Sequence, residues 1–363
     1  MFGKPSTPNL PDLRNRILIW LCIGMGVVVV GFGAAIVYGA VQLGNIPRIA
    51  CRSCDQRASD GAMNVLVVGS DSRAPVTAES DEFGTPDMVS GQRSDTMMVL
   101  RIEPDREQAS VLSIPRDLWV PIASGGENRI NTAFERGPDN LVRTIRAALG
   151  VPIHHYVEVD FAGFRDIVHA VGGVSVYFTT PARDTVTGLQ VDKAGCTELD
   201  GDQALAYVRS RNYEMLVGGE WQTGGAGDLD RISRQQDFIR RVLAKVRSVR
   251  NPLTIHRLVT TGTANVRLDK ELSAGEIEGL ARRFRTLVPT ALHMETVPAV
   301  FDHVAVDGRR ASILRVRQPQ TRELVDRFLG RAPPPPPPSE ATSAVTRPPA
   351  GLVTTTTAPA RTC

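Results

Sequence analysis

Aromatic side chains make up only 5% of the 363 residues, which argues against a carbohydrate lectin built mainly on stacking platforms. Neither sign of charge is in surplus. The 42 Lys and Arg against 39 Asp and Glu leave a formal charge of +3, so bulk attraction to nucleic acid is excluded. The six His are scattered, and the one adjacent pair, His154-His155, reads as a strand start, so imidazole metal binding is not expected. No Gly-x-Ser-x-Gly, His-Glu-x-x-His or Walker phosphate loop is found, nor a dinucleotide Gly-x-Gly-x-x-Gly after a strand. Cysteine is sparse, at five residues. Cys22 falls in an apolar run, which leaves Cys51, Cys54, Cys196 and Cys363. With no second Cys/His pair at metal spacing, a disulfide among these four is favoured over a zinc site at Cys51-Arg-Ser-Cys54. Three pairings are possible, and the sequence does not choose.

What is present divides into three unlike pieces. Hydrophobic residues at 42% and charged residues at 22% are ordinary for a globular protein. From Ile17 to Val41, however, there is no Asp, Glu, Lys or Arg. As a helix this run reaches about 37 Å, enough to span a bilayer. A cleaved signal peptide ranks second, because the run is longer than a signal core of about 7–15 residues. Arg14 and Arg16 abut its N-terminal edge, which favours residues 1–16 in the cytoplasm and everything beyond the anchor, 17–41, outside. At the other end, Arg331 to Cys363 carries nine Pro and seven Thr in 33 residues. It reads as an extended, disordered spacer or wall-penetrating tail. A linker, 42–60, and a folded domain, 61–330, lie between.

That domain reads as α/β of the α-β-α type, a mixed central sheet flanked by helices and preceded by the single transmembrane helix. Asn64 to Gly69 is a buried strand. Asp95 to Glu103 and Gln108 to Ile114 flank a hairpin turn at Pro104-Asp105-Arg106. Leu141, Val142, Ile145 and Leu149 recur at helical spacing from Pro138, with Gly150 as the stop. His155 to Asp160 and Gly173 to Phe178 are strands on either side of an amphipathic helix. Asp200 caps a helix running to Arg209, and Asp228 or Asp230 caps a longer one reaching about Arg247.

Arginines and aspartates stand at the ends of these elements. Asp71 and Arg73 follow the first strand, Arg93 and Asp95 open the next, and Arg116 and Asp117 end the third. Arg129 and Asn131 come after it. Arg209 and Arg211 close a helix, while Arg231, Arg234 and Gln235 share one face of the first turns of another. Cations at a helix N-terminus oppose the macrodipole unless an anion sits between them. Guanidiniums bind phosphate oxygens through paired donors and stay charged at any physiological pH, so the set suits a pyrophosphate. Asp71 and Asp95 suit Mg²⁺. Taken singly, each Arg is better read as a surface ion pair worth about 0–1 kcal/mol; the ordered set is read as functional.

The motifs Gly69-Ser-Asp-Ser-Arg, Arg93-Ser-Asp-Thr-Met-Met, Ser113-Ile-Pro-Arg-Asp, Arg129-Ile-Asn-Thr-Ala, Leu199-Asp-Gly, Ala204-Leu-Ala-Tyr-Val-Arg-Ser-Arg and Asp230-Arg-Ile-Ser-Arg-Gln-Gln236 resemble the LytR-CpsA-Psr family. The match covers 64–246, with Tyr156-Val-Glu-Val-Asp-Phe-Ala-Gly-Phe and Gly172-Gly-Val in order between them. The resemblance implies a membrane-anchored phosphotransferase that moves a glycopolymer from a polyprenyl-pyrophosphate carrier onto peptidoglycan, with Mg²⁺ held by Asp71 and Asp95. It implies that Arg73, Arg93, Arg116, Arg209, Arg211, Arg231, Arg234 and Gln235 handle the pyrophosphate. It also implies a lipid tunnel beneath the sheet, to which Phe161, Phe164 and Val168 are candidate contributors, although those three are equally good core residues.

The expected chemistry is attack by a peptidoglycan hydroxyl on the glycan-side phosphorus. Arg116 would act among the catalytic groups, and Asp71 is preferred as proton acceptor. Hydrolysis of the same donor, or lipid binding without turnover, are the competing readings. Two departures stand out. Asn212 to Gly227 is a Gly-rich insertion holding Tyr213 and Trp221, read as a lid or a long loop, and the Pro/Thr tail replaces the extra C-terminal domain of some family members.

Overall fold

The computed structural model describes residues 46–55, 61–70, 94–103, 109–224, 228–249, 266–273, 275–280, 291–306, 308–333 and 363, with a few single positions between 251 and 260. In chain order the strands are β1 (Arg48–Ile49), β2 (Met63–Ser70), β3 (Ser94–Ile102), β4 (Ala109–Ile114), β5 (Trp119–Pro121), β6 (Glu127–Arg129), β7 (His155–Asp160), β8 (Val174–Phe178), β9 (Ala182–Asp184), β10 (Leu189–Val191), β11 (Gly195–Leu199), β12 (Glu214–Val217), β13 (Glu220–Thr223), β14 (Val266–Asp269), β15 (Leu292–Thr296), β16 (Ala299–Val306) and β17 (Arg309–Val316). The helices are α1 (Pro138–Leu149), α2 (Phe161–Ala170), α3 (Gly201–Arg209), α4 (Asp228–Ser248) and α5 (Gln320–Phe328).

A seven-stranded sheet in the order β1-β14-β7-β2-β3-β4-β15 forms the centre. β2 sits in its middle, parallel to β7 and antiparallel to β3. Its sequence is an almost unbroken apolar run because both faces and both edges are covered. On one face, Leu66, Val68, Met97 and Val99 pack with Leu141 and Ile145 of α1 and with Leu324 and Phe328 of α5. On the other, Met98 and Val111 meet Ile239 and Leu243 of α4. Each such side chain contributes about 1.5–3 kcal/mol relative to exposure. Helices therefore cover both faces of a mixed sheet, as the sequence predicts.

A second core lies beside the first, where Val168 of α2, Val174 and Val176 of β8, Tyr207 of α3 and Phe238 of α4 meet. Two of its helices start at side-chain caps, one at the expected Asp200 and one at Asp160. Asp160 accepts from the Gly163 amide at 2.7 Å, and Asp200 accepts from the Gln203 amide at 2.9 Å, each satisfying a free first-turn donor. Gly201 then lets α3 approach α2 closely, since a Cβ there would lie 2.5 Å from the Arg165 carbonyl oxygen. The long helix begins at Asp228, so Asp228 and Asp230 both lie inside its first turn and neither is its cap.

The insertion at Asn212 to Gly227 departs from the sequence reading. It contains a hairpin, β12 paired with β13, turning at Gly218 and Gly219 with φ of 63° and 89°, the two positive values a two-residue turn of this hand demands. β12 also pairs with β9, so the segment extends a four-stranded sheet, β10-β9-β12-β13. Cysteine pairing is also resolved, as Cys51–Cys54 and Cys196–Cys363. The proposed anchor, 17–41, and the Pro104-Asp105-Arg106 turn lie outside the described residues. Among those described, no helix is long and apolar enough to cross a membrane.

Candidate functional site

The β2–β3 ladder carries an irregularity at one end. Gly69 pairs with Thr96, yet Ser70 pairs with Ser94, so Asp95 is the extra residue of a bulge. Bulges re-aim a side chain at a sheet edge. Asp71 is the next residue after Ser70 in sequence, and the register thus brings the two acidic motifs to one end of neighbouring strands. Asp71, Arg73 and Arg93 themselves lie outside the described residues, as does the side chain of Asp95. Among the described residues, no cluster of three or more His, Cys, Asp or Glu could hold a metal ion. Carboxylates are the hard oxygen donors that Mg²⁺ takes together with water and phosphate oxygens.

That cleft opens at the same end of the sheet, where β3, the end of β4 and the start of α4 converge. It has a volume of about 220 Å³, open solvent included, and is lined by Thr96, Ser113, Arg116, Arg231 and Gln235 among others. Three of the sequence-predicted residues, Arg116, Arg231 and Gln235, are thus brought to one place. Arg231 is only 4% exposed, an expensive position for a charge without compensating groups. The Gln235 amide donates to the Thr96 hydroxyl and to the Val208 carbonyl, each at 3.1 Å, which pins α4 both to β3 and to the last turn of α3.

Arg209 and Arg211 flank the buried Ser210 at the end of α3 and are themselves exposed. Arg234, one turn along α4 from Arg231, donates to the Ser210 carbonyl and lies over the Tyr213 ring, 4.8 Å from its centroid. Its Nε has no acceptor among the described residues. Burial lowers the Arg234 pKa from its ordinary value, while Tyr207, Tyr213, Asp230 and Asp184 act the other way. A donor left over in a half-buried, strained-for-charge guanidinium is the kind of group an anion satisfies. The Arg209 guanidinium sits 4.4 Å from the Phe161 ring centroid.

The remaining candidates separate. Val168 is a core residue at 1% exposure, and Phe164 packs on Phe238 with ring centroids 5.6 Å apart. Phe161 faces a cation. Arg129 is not among the residues lining the cleft; it donates to the Ser312 carbonyl at 2.9 Å and pairs with Asp117 at 3.5 Å, which Arg116 also approaches at 3.7 Å. Sequence reasoning missed Thr96 and Ser113, which contact glutamines of α4 only through the fold; the hydroxyl of Ser113 accepts from Gln236 at 3.0 Å. It also missed Asp184, whose link to the site runs to Ser210, 26 residues further along the chain.

The chain is similar to known proteins over most of its length. A sequence model of the LytR_cpsA_psr family matches residues 45–327. The chain is 32% identical over 284 residues to a protein of Corynebacterium glutamicum named probable cell wall biosynthesis protein LcpB, covering 76% of this chain and 64% of that one. It is 28% identical over 309 residues to polyisoprenyl-teichoic acid–peptidoglycan teichoic acid transferase TagU of Bacillus mycoides, covering 82% and 91%. The solved LytR-Csp2A-Psr enzyme from Actinomyces oris superposes with a TM-score of 0.63 at 26% identity, over 78% of this chain and 95% of that one. The chain spans less than two thirds of the length of its Corynebacterium relatives, 64% of LcpB and 59% of LcpA. By the extent of the match, and with the motifs and the fold in agreement, this chain belongs to the LytR-CpsA-Psr family.

Proposed function

We propose that the protein transfers a glycopolymer from a polyprenyl-pyrophosphate carrier to peptidoglycan, leaving a phosphodiester link and releasing polyprenyl phosphate. The observation that carries this is the meeting of Arg116, Arg231 and Gln235 in one cleft, with Arg209, Arg211 and Arg234 arranged about Ser210 beside it. The named activity of the Bacillus relative, moving teichoic acid onto peptidoglycan, supports the same class of reaction.

In this reading, the guanidiniums bind the diphosphate and hold the glycan-side phosphorus toward the acceptor. The acceptor hydroxyl oxygen forms a bond to that phosphorus as the bond to the bridging oxygen breaks. The departing polyprenyl phosphate takes the electron pair, and Asp71 takes the hydroxyl proton. Arg116 and Arg231 stabilise charge that grows on the leaving phosphate, a role worth most in a site with little water. Mg²⁺ held by Asp71 and Asp95 would supply charge neutralisation and orient phosphate oxygens. Of the three sequence candidates for the lipid, Phe161, half-buried and facing Arg209, is the one in a position to meet the chain, whereas Val168 and Phe164 are taken up by the core. Residues 17–41 anchor the protein in the cell membrane by a single pass, with residues 1–16 in the cytoplasm and the domain outside, where both lipid donor and wall are found.

The test is to incubate the full chain, in detergent, with a lipid-pyrophosphate glycan and Mg²⁺, with and without peptidoglycan. Polymer-linked product that requires peptidoglycan is the expected result. Free glycan phosphate alone would replace transfer with hydrolysis, and binding without any product would replace it with a regulatory role.

A further inference from the structure

We infer that Asp184 is a positioning residue for the cationic site, one that holds Arg211, Ser210 and, through Ser210, Arg234 in place. Asp184 ends β9 and has no exposed surface. Its Oδ2 accepts from the Ser210 hydroxyl at 2.6 Å, the Arg211 amide at 3.0 Å and the Asn212 amide at 2.9 Å. Its Oδ1 accepts from the amides of Val186 at 2.9 Å and Thr187 at 3.2 Å. A carboxylate has lone pairs for about four such contacts, so five donors saturate it and leave the group no freedom to turn.

The consequence falls on the chain just past α3. That segment leaves the helix with exposed arginines on both sides of the buried Ser210. Three of the five contacts to Asp184 land on consecutive residues, Ser210 to Asn212. The Ser210 carbonyl held there is the acceptor for Arg234. One buried carboxylate therefore sets the backbone that carries Arg211 and the anchor point of Arg234, and it does so from the sheet that also carries the β12–β13 hairpin. Asp184 is not among the residues that line the cleft, and its hydrogen bonds reach the site through Ser210 and Arg211. Displacing a binding group by about 1 Å can lower efficiency on the order of 100-fold.

This inference rests on the diphosphate reading of the site, and two readouts keep them apart. Asp184→Asn keeps the side chain's shape but turns one acceptor into a donor facing other donors. In the full chain, hydrogen exchange at the amides of Arg211 and Asn212 reports position, while affinity for farnesyl pyrophosphate reports the site's chemistry. Exchange about tenfold faster and affinity weaker by about tenfold or more are expected, with circular dichroism unchanged. Protected amides and wild-type affinity in Asp184→Asn would overturn the inference. Wild-type protein that ignores the probe would sink the diphosphate reading while the exchange result still decides the positioning. Should Asp184→Asn fail to fold, Ser210→Ala, which removes one contact of the five, is expected to show the same two effects in smaller degree; wild-type values for both would again overturn it.

Discussion

The guanidinium of Arg209 lies over the ring of Phe161, 4.4 Å from its centroid. One residue comes from the set expected to bind diphosphate and the other from the set expected to meet lipid. The end of α3 and the start of α2 thus bring a cation and an aromatic face together, the pairing that the proposed lipid diphosphate, charged at its head and apolar in its tail, would require.

Phe161→Leu should separate these roles. It keeps an apolar side chain but removes the ring face, a contact worth about 0.5–1 kcal/mol at an exposed site. Diphosphate affinity is expected to fall about two- to fivefold, with the melting temperature lowered by no more than about 1–4 °C. Titration of the variant with farnesyl pyrophosphate measures the first, and a thermal scan the second.

Neighbouring glutamines of α4 should behave differently. Gln236 donates to the hydroxyls of Ser113 and Thr296 at 3.0 and 3.1 Å, joining the ends of β4 and β15. Gln236→Leu is expected to lower stability by about 1–2 kcal/mol and leave the transfer rate per folded molecule intact. Gln235→Glu places a carboxylate next to Arg231 in the cleft, where it competes with a bound anion. A loss of diphosphate affinity of about tenfold or more is expected. Urea titrations and binding isotherms on both variants distinguish the two outcomes.

Acid should loosen the far edge of the sheet. Burial alone would raise the Asp269 carboxyl, but hydrogen bonds from His155 and from the backbone of Tyr156 and Glu271 outweigh it and hold the pKa below its ordinary value. A depressed folded-state pKa means stability present above the unfolded value of about 3.9 and lost as pH falls through the folded one. Chemical denaturation from pH 6 downward should show wild type losing its advantage over Asp269→Asn below about pH 4. A constant difference across that range would contradict the assignment.

The link from Cys196 in β11 to Cys363 spans 167 residues and restricts the unfolded chain far more than the three-residue link Cys51–Cys54. Cys196→Ala is expected to cost about 2–4 kcal/mol, and Cys54→Ala less. Peptide mapping under non-reducing conditions should recover the 196–363 pair, and thermal scans of the two variants should rank them in this order.

Much of the fold was legible because local rules and tertiary demands agree. The span Pro138–Leu149 has its apolar residues on one stripe and a Gly stop, and α1 has those ends. The strand expected at His155–Asp160 is β7 with those same ends. The insertion was misread, although Val217-Gly218-Gly219-Glu220 carries the Gly-Gly signal of a two-residue hairpin. Its flanking strands are too short and mixed in polarity to be seen without β9 beside them. Among the site residues, arginines at element ends announced themselves by charge. Asp184 did not, because its meaning lies in amides of Arg211 and Asn212 that only folding brings near. The Phe161, Phe164 and Val168 group had one periodicity but three environments, which spacing alone does not separate.

The central claim is that the cleft between β3, β4 and α4 recognises a lipid-borne diphosphate. The most direct measurement is the affinity of the full chain for a polyprenyl diphosphate and for the matching monophosphate, in wild type, Arg116→Ala and Arg231→Ala. The account predicts tighter binding of the diphosphate by wild type and a drop of about tenfold or more in each variant, as loss of a charge-assisted contact requires. Equal affinity for the two lipids, or variants that bind the diphosphate as wild type does, would contradict it.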